Sequence, residues 1–316
     1  MQSSKPFKPL ISILVPVFNE QDSLTPFLER TFKVLESINS PFEIIFINDG
    51  STDDTLNNLL KLTKDDRRIK VISLSRNFGK EAALSAGIDN ASGDVLIPID
   101  VDLQDPPELI PTMLEHWKAG YDVVYGLRVS RDSDSVWKRA SANIFYKIFN
   151  QLSPIKIPSD AGDFRLIDRK VGEVLKNIPE RNRFMKGIFS WVGFKSYAVP
   201  YERPSRSIGK SKWSSWKLWN FALDGILSFS TLPLRIWTYI GTGIAILSFI
   251  YGTFIVVRTL IFGVDLPGYA SLVTIILFLG GVQLISVGIL GEYIGRVFIE
   301  AKARPIYIIE SKHSFE

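Results

Sequence analysis

The stretch IPIDVDLQDPPE at 97–108 places Asp100, Asp102, Asp105 and Glu108 directly behind an apolar run. Two carboxylates one residue apart at the end of a strand can aim at one point, and Gln104 adds an amide oxygen close behind. Mg²⁺ and Mn²⁺ take oxygen ligands and usually share them with a substrate's phosphates and water. A capped, solvated turn would need nothing more than the same residues, so the D-x-D alone leaves both readings open. Asp49, in INDGS, also ends an apolar run and can accept hydrogen bonds from a base N–H or a ribose hydroxyl. Cations gather too: Arg128 and Arg131 follow another apolar run, and Arg203, Arg206, Lys210 and Lys212 crowd into YERPSRSIGKSK. A guanidinium matches phosphate with two hydrogen bonds, so these residues suit an anionic phosphorylated ligand. A solvated basic loop drawn to anionic lipids is the other reading of 203–212, and the two are compatible.

These side chains need elements to carry them. Strand-like runs recur at 11–18, 42–49, 69–75, 94–100 and 122–127. Between the first two, Leu24, Phe27, Leu28, Thr31, Leu35 and Ile38 fall at helical intervals. Ser51-Thr52-Asp53-Asp54 is a helix-start signal, and Pro106-Pro107 opens a further helix, with Asp105 and Glu108 read as first-turn acids favoured by its dipole. Fully apolar strands alternating with helices predict an α/β fold with a mostly parallel, Rossmann-like sheet, whose ligands sit beyond the carboxyl ends of the strands. The ends PVFNE, NDGSTDD, SRNFG and DVDLQD then share one edge, and four such ends favour the metal-phosphate reading over the solvated turn. No G-x-G-x-x-G follows the first strand, which disfavours a dinucleotide cofactor. SIGKS at 207–211 is not a phosphate loop, because Pro204 holds the required glycine position and no strand precedes it.

The 316 residues accommodate such a domain and something smaller. A net charge of +4 is too weak for a nucleic-acid partner and suits an anionic membrane or a phosphorylated substrate. The absence of cysteine excludes disulfides, thiolate metal sites and cysteine nucleophiles, and His116 and His313 are too few for a histidine zinc site or a Ser-His-Asp triad. The uncharged stretches between Arg235 and Arg258 and from Leu266 to Gly291 are long enough to cross a bilayer. Lys210, Lys212, Lys217 and Arg235 flank one end of the pair, and Arg296, Lys302 and Arg304 the other. The positive-inside rule therefore predicts a hairpin with the N-terminal domain and both ends in the cytoplasm. Trp213, Trp216 and Trp219 beside lysines predict an interfacial helix, a core helix being the competing reading. The expected layout is a domain over 1–212, interfacial helices over 213–232, spans at about 236–257 and 268–291 within 233–293, and a cytoplasmic tail over 294–316. Gly291-x-x-x-Gly295 suits helix packing and, with it, a homo-oligomer through the apolar helices.

In this order, VPVFNE, INDGSTDDT, SRNFGKEAALSAG, DVDLQDPPE, DFRL and GKSKW resemble the family 2 glycosyltransferases of GT-A fold, and among them the polyprenyl-phosphate glycosyltransferases. The resemblance covers about residues 8–231, and the trailing apolar pair is similar to the bacterial polyprenyl-phosphate glucosyltransferase type. It implies Pro16, Phe18 and Glu20 around the nucleotide base and ribose, with Asp49 on the base. It also implies Asp100, Asp102 and Gln104 at a Mg²⁺ or Mn²⁺ site on the donor diphosphate. Position 18 is often Tyr in this family, so Phe18 keeps the stacking face and lacks a hydroxyl. Asp160 and Asp163 precede or open the DFRL element, and Asp160 is the expected base or orienting group, with turn capping as its alternative. Together with Asp102 and Arg128 it makes the expected catalytic set; Arg131, Arg203, Arg206, Lys210 and Lys212 make the expected acceptor set. The implied reaction is inverting transfer of a sugar, first of all glucose from UDP-glucose, to undecaprenyl- or dolichyl-type phosphate. GDP-mannose or a UDP-aminoarabinose donor is the alternative within the class, and a non-catalytic nucleotide-sugar-binding membrane scaffold is the alternative outside it.

Overall fold

The computed structural model describes residues 8–129, 150, 153, 155–158, 161–181, 183–202, 229–263 and 268–315. Strands β1 (Ile11–Val17), β2 (Phe42–Asn48), β3 (Ile69–Leu74) and β4 (Val95–Pro98) alternate with helices α1 (Leu24–Ile38), α2 (Thr55–Asp65) and α3 (Lys80–Asn90). A short 3₁₀ turn, Pro107–Leu109, leads into α4 (Ile110–Lys118). Then come β5 (Val123–Arg128), β6 (Ala161–Asp168), α5 (Arg169–Lys176), α6 (Met185–Trp191) and β7 (Ser196–Tyr201). Two long helices, α7 (Leu232–Phe262) and α8 (Tyr269–Ala301), precede a last strand, β8 (Ile309–His313).

The strands form one sheet in the order β7-β5-β6-β4-β1-β2-β3-β8. Strands β4-β1-β2-β3 are parallel throughout, as their apolar sequences require: every residue of β2 is buried, so both sheet faces must be covered. One core lies on the α1, α2 and α4 side, around Phe27, Phe46, Trp117 and Phe164. The other lies under α3, α5 and α6, around Leu14, Ile47, Leu84 and Ile188. Trp117 satisfies its indole N–H by donating to Asp168 Oδ2 at 2.7 Å, as a buried polar atom must.

The sheet is mostly parallel, as expected, with two antiparallel members. Strand β6 inserts between β4 and β5 and runs antiparallel to both, so the fifth predicted strand does not pair with the fourth. Strand β8 closes the other edge antiparallel to β3. The sheet remains mostly parallel, and β8 covers what would otherwise be an open edge. The 294–316 segment, expected as a tail, thus ends α8 and then rejoins the domain. Tyr307 donates to Asp89 Oδ2 at 2.5 Å and Lys312 to Asn90 Oδ1 at 2.6 Å, pinning this return to the end of α3.

Helices α7 and α8 contain apolar stretches at Ile236–Phe262 and Thr274–Ala301, each with mean hydropathy 2.1. Their large side chains face outward: Phe249 is 77% exposed and Leu260 81%. Apolar surface on that scale is incompatible with water on every side and fits hydrocarbon. At 31 and 33 residues the helices run about 46 and 50 Å, so each extends well past a bilayer core of about 30 Å. Tyr293 OH donates to the Ser230 carbonyl at 2.7 Å, tying the end of α8 to the entry of α7. The Arg181 backbone N–H donates to Glu300 Oε1 at 2.8 Å, and its Nε to the Arg304 carbonyl at 2.9 Å. The hairpin is therefore fastened to the α/β domain at its own foot. The expected interfacial residues Trp213, Trp216 and Trp219 lie outside the described residues.

Candidate active site

The carboxyl ends of β1, β2, β3 and β4 meet along one edge, as the winding of the sheet requires. Beyond β1, Pro16 lies within the strand opposite Ile47, Phe18 and Glu20 are half-buried, and Asn19 turns the chain at φ +53°. The Asn19 N–H donates to Ser51 Oγ at 3.0 Å, the Glu20 N–H to Thr55 Oγ1 at 2.9 Å, and Glu20 Oε2 accepts from Ser23 Oγ at 2.9 Å. The β1 end is thereby clamped to the turn after β2. In that turn Gly50 holds φ +66°, and a Cβ there would lie 2.4 Å from the Arg76 carbonyl carbon. Only glycine permits this approach of the β2 and β3 ends.

Asp49 is 3% exposed and accepts from the Phe78 N–H at 2.7 Å and the Gly79 N–H at 2.9 Å, one on each oxygen. Burial raises its pKa, and the two amides and Arg76 oppose that rise. Each carboxylate oxygen keeps a second lone pair, so Asp49 can order the β3–α3 loop and still meet a ligand.

That loop delivers Lys80, the first residue of α3, into the acidic edge. Lys80 Nζ lies 2.7 and 2.9 Å from the two oxygens of Asp100 and 2.7 Å from Asp163 Oδ2. These carboxylates come from separate places, Asp100 just beyond β4 and Asp163 on β6. Glu81 is next, half-buried and close to both Asp163 and Lys186. Burial first, then the charge of Asp163, pushes the Glu81 carboxyl up to about 8. Asp163 goes the other way, held far below the usual carboxylate range because Lys80, Lys186 and Arg165 outweigh its burial. The lysines fix Asp163 as the anion, and Glu81 is the carboxyl that keeps its proton.

Asp102 follows in a tight turn, where the Gln104 N–H donates to its Oδ1 at 3.2 Å and Leu103 takes φ +56°. A left-handed leucine is an uncommon, strained conformation; here it reverses the chain directly behind the D-x-D. Among the described residues no group of three or more His, Cys, Asp or Glu is preassembled around a metal. Asp100 and Asp102 still fit Mg²⁺ or Mn²⁺: the carboxylate of Asp100 already holds a cation. Such ions also bind through one or two carboxylates with substrate phosphates completing the shell.

Asp105 corrects the helix-start reading. It is 2% exposed and accepts from Tyr201 OH at 2.5 Å, with Arg128 Nη2 3.8 Å away. Tyr201 OH in turn accepts from Arg128 Nε at 3.2 Å. Asp105 therefore joins β7 and β5 to the D-x-D turn and sets Arg128. Glu108 is the residue that behaves as expected, in the first turn of the 3₁₀ segment and paired with Arg30 at 2.7 and 2.9 Å.

The structure thus brings Asp49, Asp100, Asp102, Gln104, Arg128, Pro16, Phe18 and Glu20 to one edge of the sheet. Asp160, Arg131, Arg203, Arg206, Lys210 and Lys212 lie outside the described residues. Sequence reasoning gave no role to Lys80, Glu81, Lys186 or Tyr201. For the first two the signal was a Lys-Glu pair opening a helix, after a strand end, whose next seven residues are all buried.

The sequence profile described as Glycosyl transferase family 2 matches residues 12–175, and the GtrB C-terminal hairpin matches residues 232–297. The chain belongs to glycosyl transferase family 2. In this family 2 chain the first match ends within α5 and the second takes in most of α7 and α8, so the profiles divide it where the fold does. Over 303 residues it is 53% identical to the SfII prophage-derived bactoprenol glucosyl transferase of Shigella flexneri, covering 96% of this chain and 98% of that one. The prophage bactoprenol glucosyl transferase homolog of Escherichia coli K12 is also 53% identical, over 95% of this chain and 98% of its own length. A third relative, an uncharacterized glycosyltransferase of Synechocystis, is 53% identical over 97% and 96%. Among solved structures, glucosyl-3-phosphoglycerate synthase from Mycobacterium tuberculosis aligns at 16% identity and TM-score 0.47, over 69% of this chain and 78% of that one.

Proposed function

We propose that this glycosyltransferase moves glucose from UDP-glucose to a membrane polyprenyl phosphate, giving the inverted, β-linked product. The observation that carries the reading is the Lys80–Asp100–Asp163 cluster at the ligand edge of a sheet whose last strand returns from an apolar hairpin. The 53% identity to bactoprenol glucosyl transferases supports both the sugar and the lipid class.

A phosphate monoester has its second pKa near 6, so at neutral pH the acceptor is already a nucleophilic dianion. One of its oxygens attacks the anomeric carbon from the face opposite the leaving group, and a new C–O bond forms. The C–O bond to the β-phosphate breaks, and its electron pair departs with UDP. No proton has to move, so the reaction needs no general base and leaves Asp160 an orienting role at most; Asp163, held charged, fixes Lys80. The work left to the protein is positioning and charge stabilisation. Asp49, Phe18 and Glu20 frame the nucleotide end, and Arg128, set by Asp105 and Tyr201, faces the same edge. Asp100 and Asp102 would hold Mg²⁺ or Mn²⁺, which neutralises charge on the leaving diphosphate when bound.

The domain and the segment after α8 share one sheet, and basic residues flank both outer ends of the hairpin; both facts support a cytoplasmic domain with both termini on that side. Single cysteines introduced at each end of this cysteine-free chain should be labelled only from the cytoplasmic face. Self-association through the apolar helices belongs to the same reading.

Purified full-length protein with labelled UDP-glucose, Mg²⁺ and undecaprenyl phosphate should yield chloroform-extractable sugar. A donor screen that includes GDP-mannose and a UDP-aminoarabinose derivative tests the sugar. Product from another donor alone overturns the glucose assignment, and no product from any donor overturns the enzyme reading in favour of a binding scaffold.

A further inference from the structure

The Lys80 ammonium is shared between two carboxylates, one just beyond β4 and one on β6. Nζ lies 2.7 Å from Asp100 Oδ1 and 2.9 Å from Oδ2, so it spans the open mouth of that carboxylate. It also lies 2.7 Å from Asp163 Oδ2. The mouth of Asp100 is where Mg²⁺ or Mn²⁺ would take its oxygens. Each oxygen has a second lone pair, but a doubly charged ion bound there would stand close beside the ammonium. Like charges at such spacing repel strongly wherever water is partly excluded. Lys80 and a divalent ion therefore compete for Asp100.

Two observations show that Lys80 can yield this position. Lys80 and Asp100 keep 35 and 32% of their side-chain surface in solvent, so an ion from solution reaches the carboxylate, and the ammonium moves on a flexible four-carbon stem. Asp163 remains as its second anchor. Its Oδ1 is buried and takes no hydrogen bond among the described residues, and a buried acceptor left without one is costly. Asp163 therefore offers both charge and an open acceptor to Lys80 when it leaves Asp100. A diphosphate arriving at the same edge adds negative charge that both cations can share, which offsets their mutual repulsion.

We propose that Lys80 is a built-in placeholder for the divalent ion: it occupies Asp100 until the nucleoside diphosphate draws it off, and then bridges Asp163 and the diphosphate. The ion gains full access to Asp100 only as the donor arrives, so metal and donor binding are coupled, and the coupling is reciprocal. The inference rests on the metal role of Asp100 and Asp102 given above, and it assigns to Lys80 the order in which that site fills.

The test measures Mn²⁺ binding to full-length protein in nanodiscs of uncharged lipid, read from the EPR signal of the free ion. It is run without nucleotide, with UDP and with GDP, and needs no turnover. The parent should bind Mn²⁺ weakly alone and more tightly with the nucleotide it accepts. Lys80→Met should bind Mn²⁺ alone about tenfold more tightly than the parent, the effect of freeing one charge-assisted contact. The enhancement by nucleotide should shrink by a similar factor. A lysine that only holds the D-x-D turn in place predicts the opposite sign, weaker Mn²⁺ binding on its removal. Lys80→Arg keeps the charge and should stay within about threefold of the parent; tightening equal to that of Lys80→Met would overturn the competition of charges. Lys80→Gln, uncharged and similar in length, gives the same reading if Lys80→Met does not fold. Equal or weaker Mn²⁺ affinity without nucleotide in the folded uncharged variant overturns the proposal. Asp102→Ala separates this failure from failure of the metal site. Mn²⁺ binding that survives Asp102→Ala with either nucleotide overturns the metal reading and the exchange together. Binding lost in Asp102→Ala but not tightened in Lys80→Met overturns the exchange alone.

Discussion

Lys80→Met removes one ammonium from a cluster that holds Asp100, Asp163 and Glu81 together. Nζ makes contacts of 2.7 Å to both Asp100 and Asp163, while the three side chains keep 35, 32 and 25% of their surface in solvent. Fully exposed pairs contribute about 0.2–1 kcal/mol, and breaking a fully buried one costs about 3–5 kcal/mol. With a quarter to a third of each side chain in water, about 2 kcal/mol is expected for the whole cluster, since the two contacts share one cation and do not add. For a domain of this size that lowers Tm by roughly 4–8 °C. The effect on turnover should be larger. The variant takes away the ammonium shared by Asp100 and Asp163 where a diphosphate must arrive, leaving Asp163 to Lys186 and Arg165, and losing a charge-assisted contact worth about 1.5–3 kcal/mol predicts a ten- to hundredfold fall in kcat/KM. Lys80→Arg should recover part of it. The assay is transfer of labelled sugar to the chloroform phase, paired with thermal melting of each variant. A Lys80→Met protein that melts normally and turns over within twofold of the parent would refute the central place given to this lysine.

Glu81 gives a pH signature. Its folded pKa, about 8, lies above the ordinary 4.5, so the folded state holds a proton that the unfolded state has released. Its contribution to stability is present below about pH 4.5 and is lost as pH rises through 8. Glu81→Gln should flatten the stability curve over that window, and an unchanged slope in pH-dependent melts would count against it. Asp49→Asn leaves one acceptor oxygen for two backbone N–H groups; a stability loss of about 1–3 kcal/mol and a raised KM for the donor are expected in melts and steady-state kinetics. Asp102→Ala should abolish turnover at saturating Mg²⁺ with little change in Tm, and near-parental activity would remove Asp102 from the metal site. Tyr201→Phe strips a buried acceptor and donor from between Arg128 and Asp105, costing about 1–3 kcal/mol by melting and lowering kcat more than it raises donor KM.

The strands β1 to β4 were readable because each is a mostly apolar run, broken only by residues such as Ser12, Glu43 and Lys70, and ended by polar residues; a parallel sheet buried on both faces leaves that pattern in the chain. The same winding rule puts Asp49, Asp100 and Asp102 on one edge. The apolar hairpin was equally plain, since hydrocarbon selects composition over about 20 consecutive residues. Strand β6 was not readable as an antiparallel insertion, because direction within a sheet is set by where the neighbouring strands leave room, and AGDFRLID carries no mark of it. Nor was β8: five alternating residues, IESKH, look like any solvated segment until β3 offers an edge.

Asp105 marks the boundary most sharply. By sequence it belongs with Glu108 and the prolines that open a helix. By structure it is buried against a tyrosine 96 positions away. Local spacing decides which carboxylates stand at a strand end, because backbone geometry acts over a few residues. Which of them meets a metal, a lysine or a tyrosine depends on charges contributed by other strands. Lys80, Asp100 and Asp163 span 83 positions and become one ionic cluster only when β6 folds back between β4 and β5.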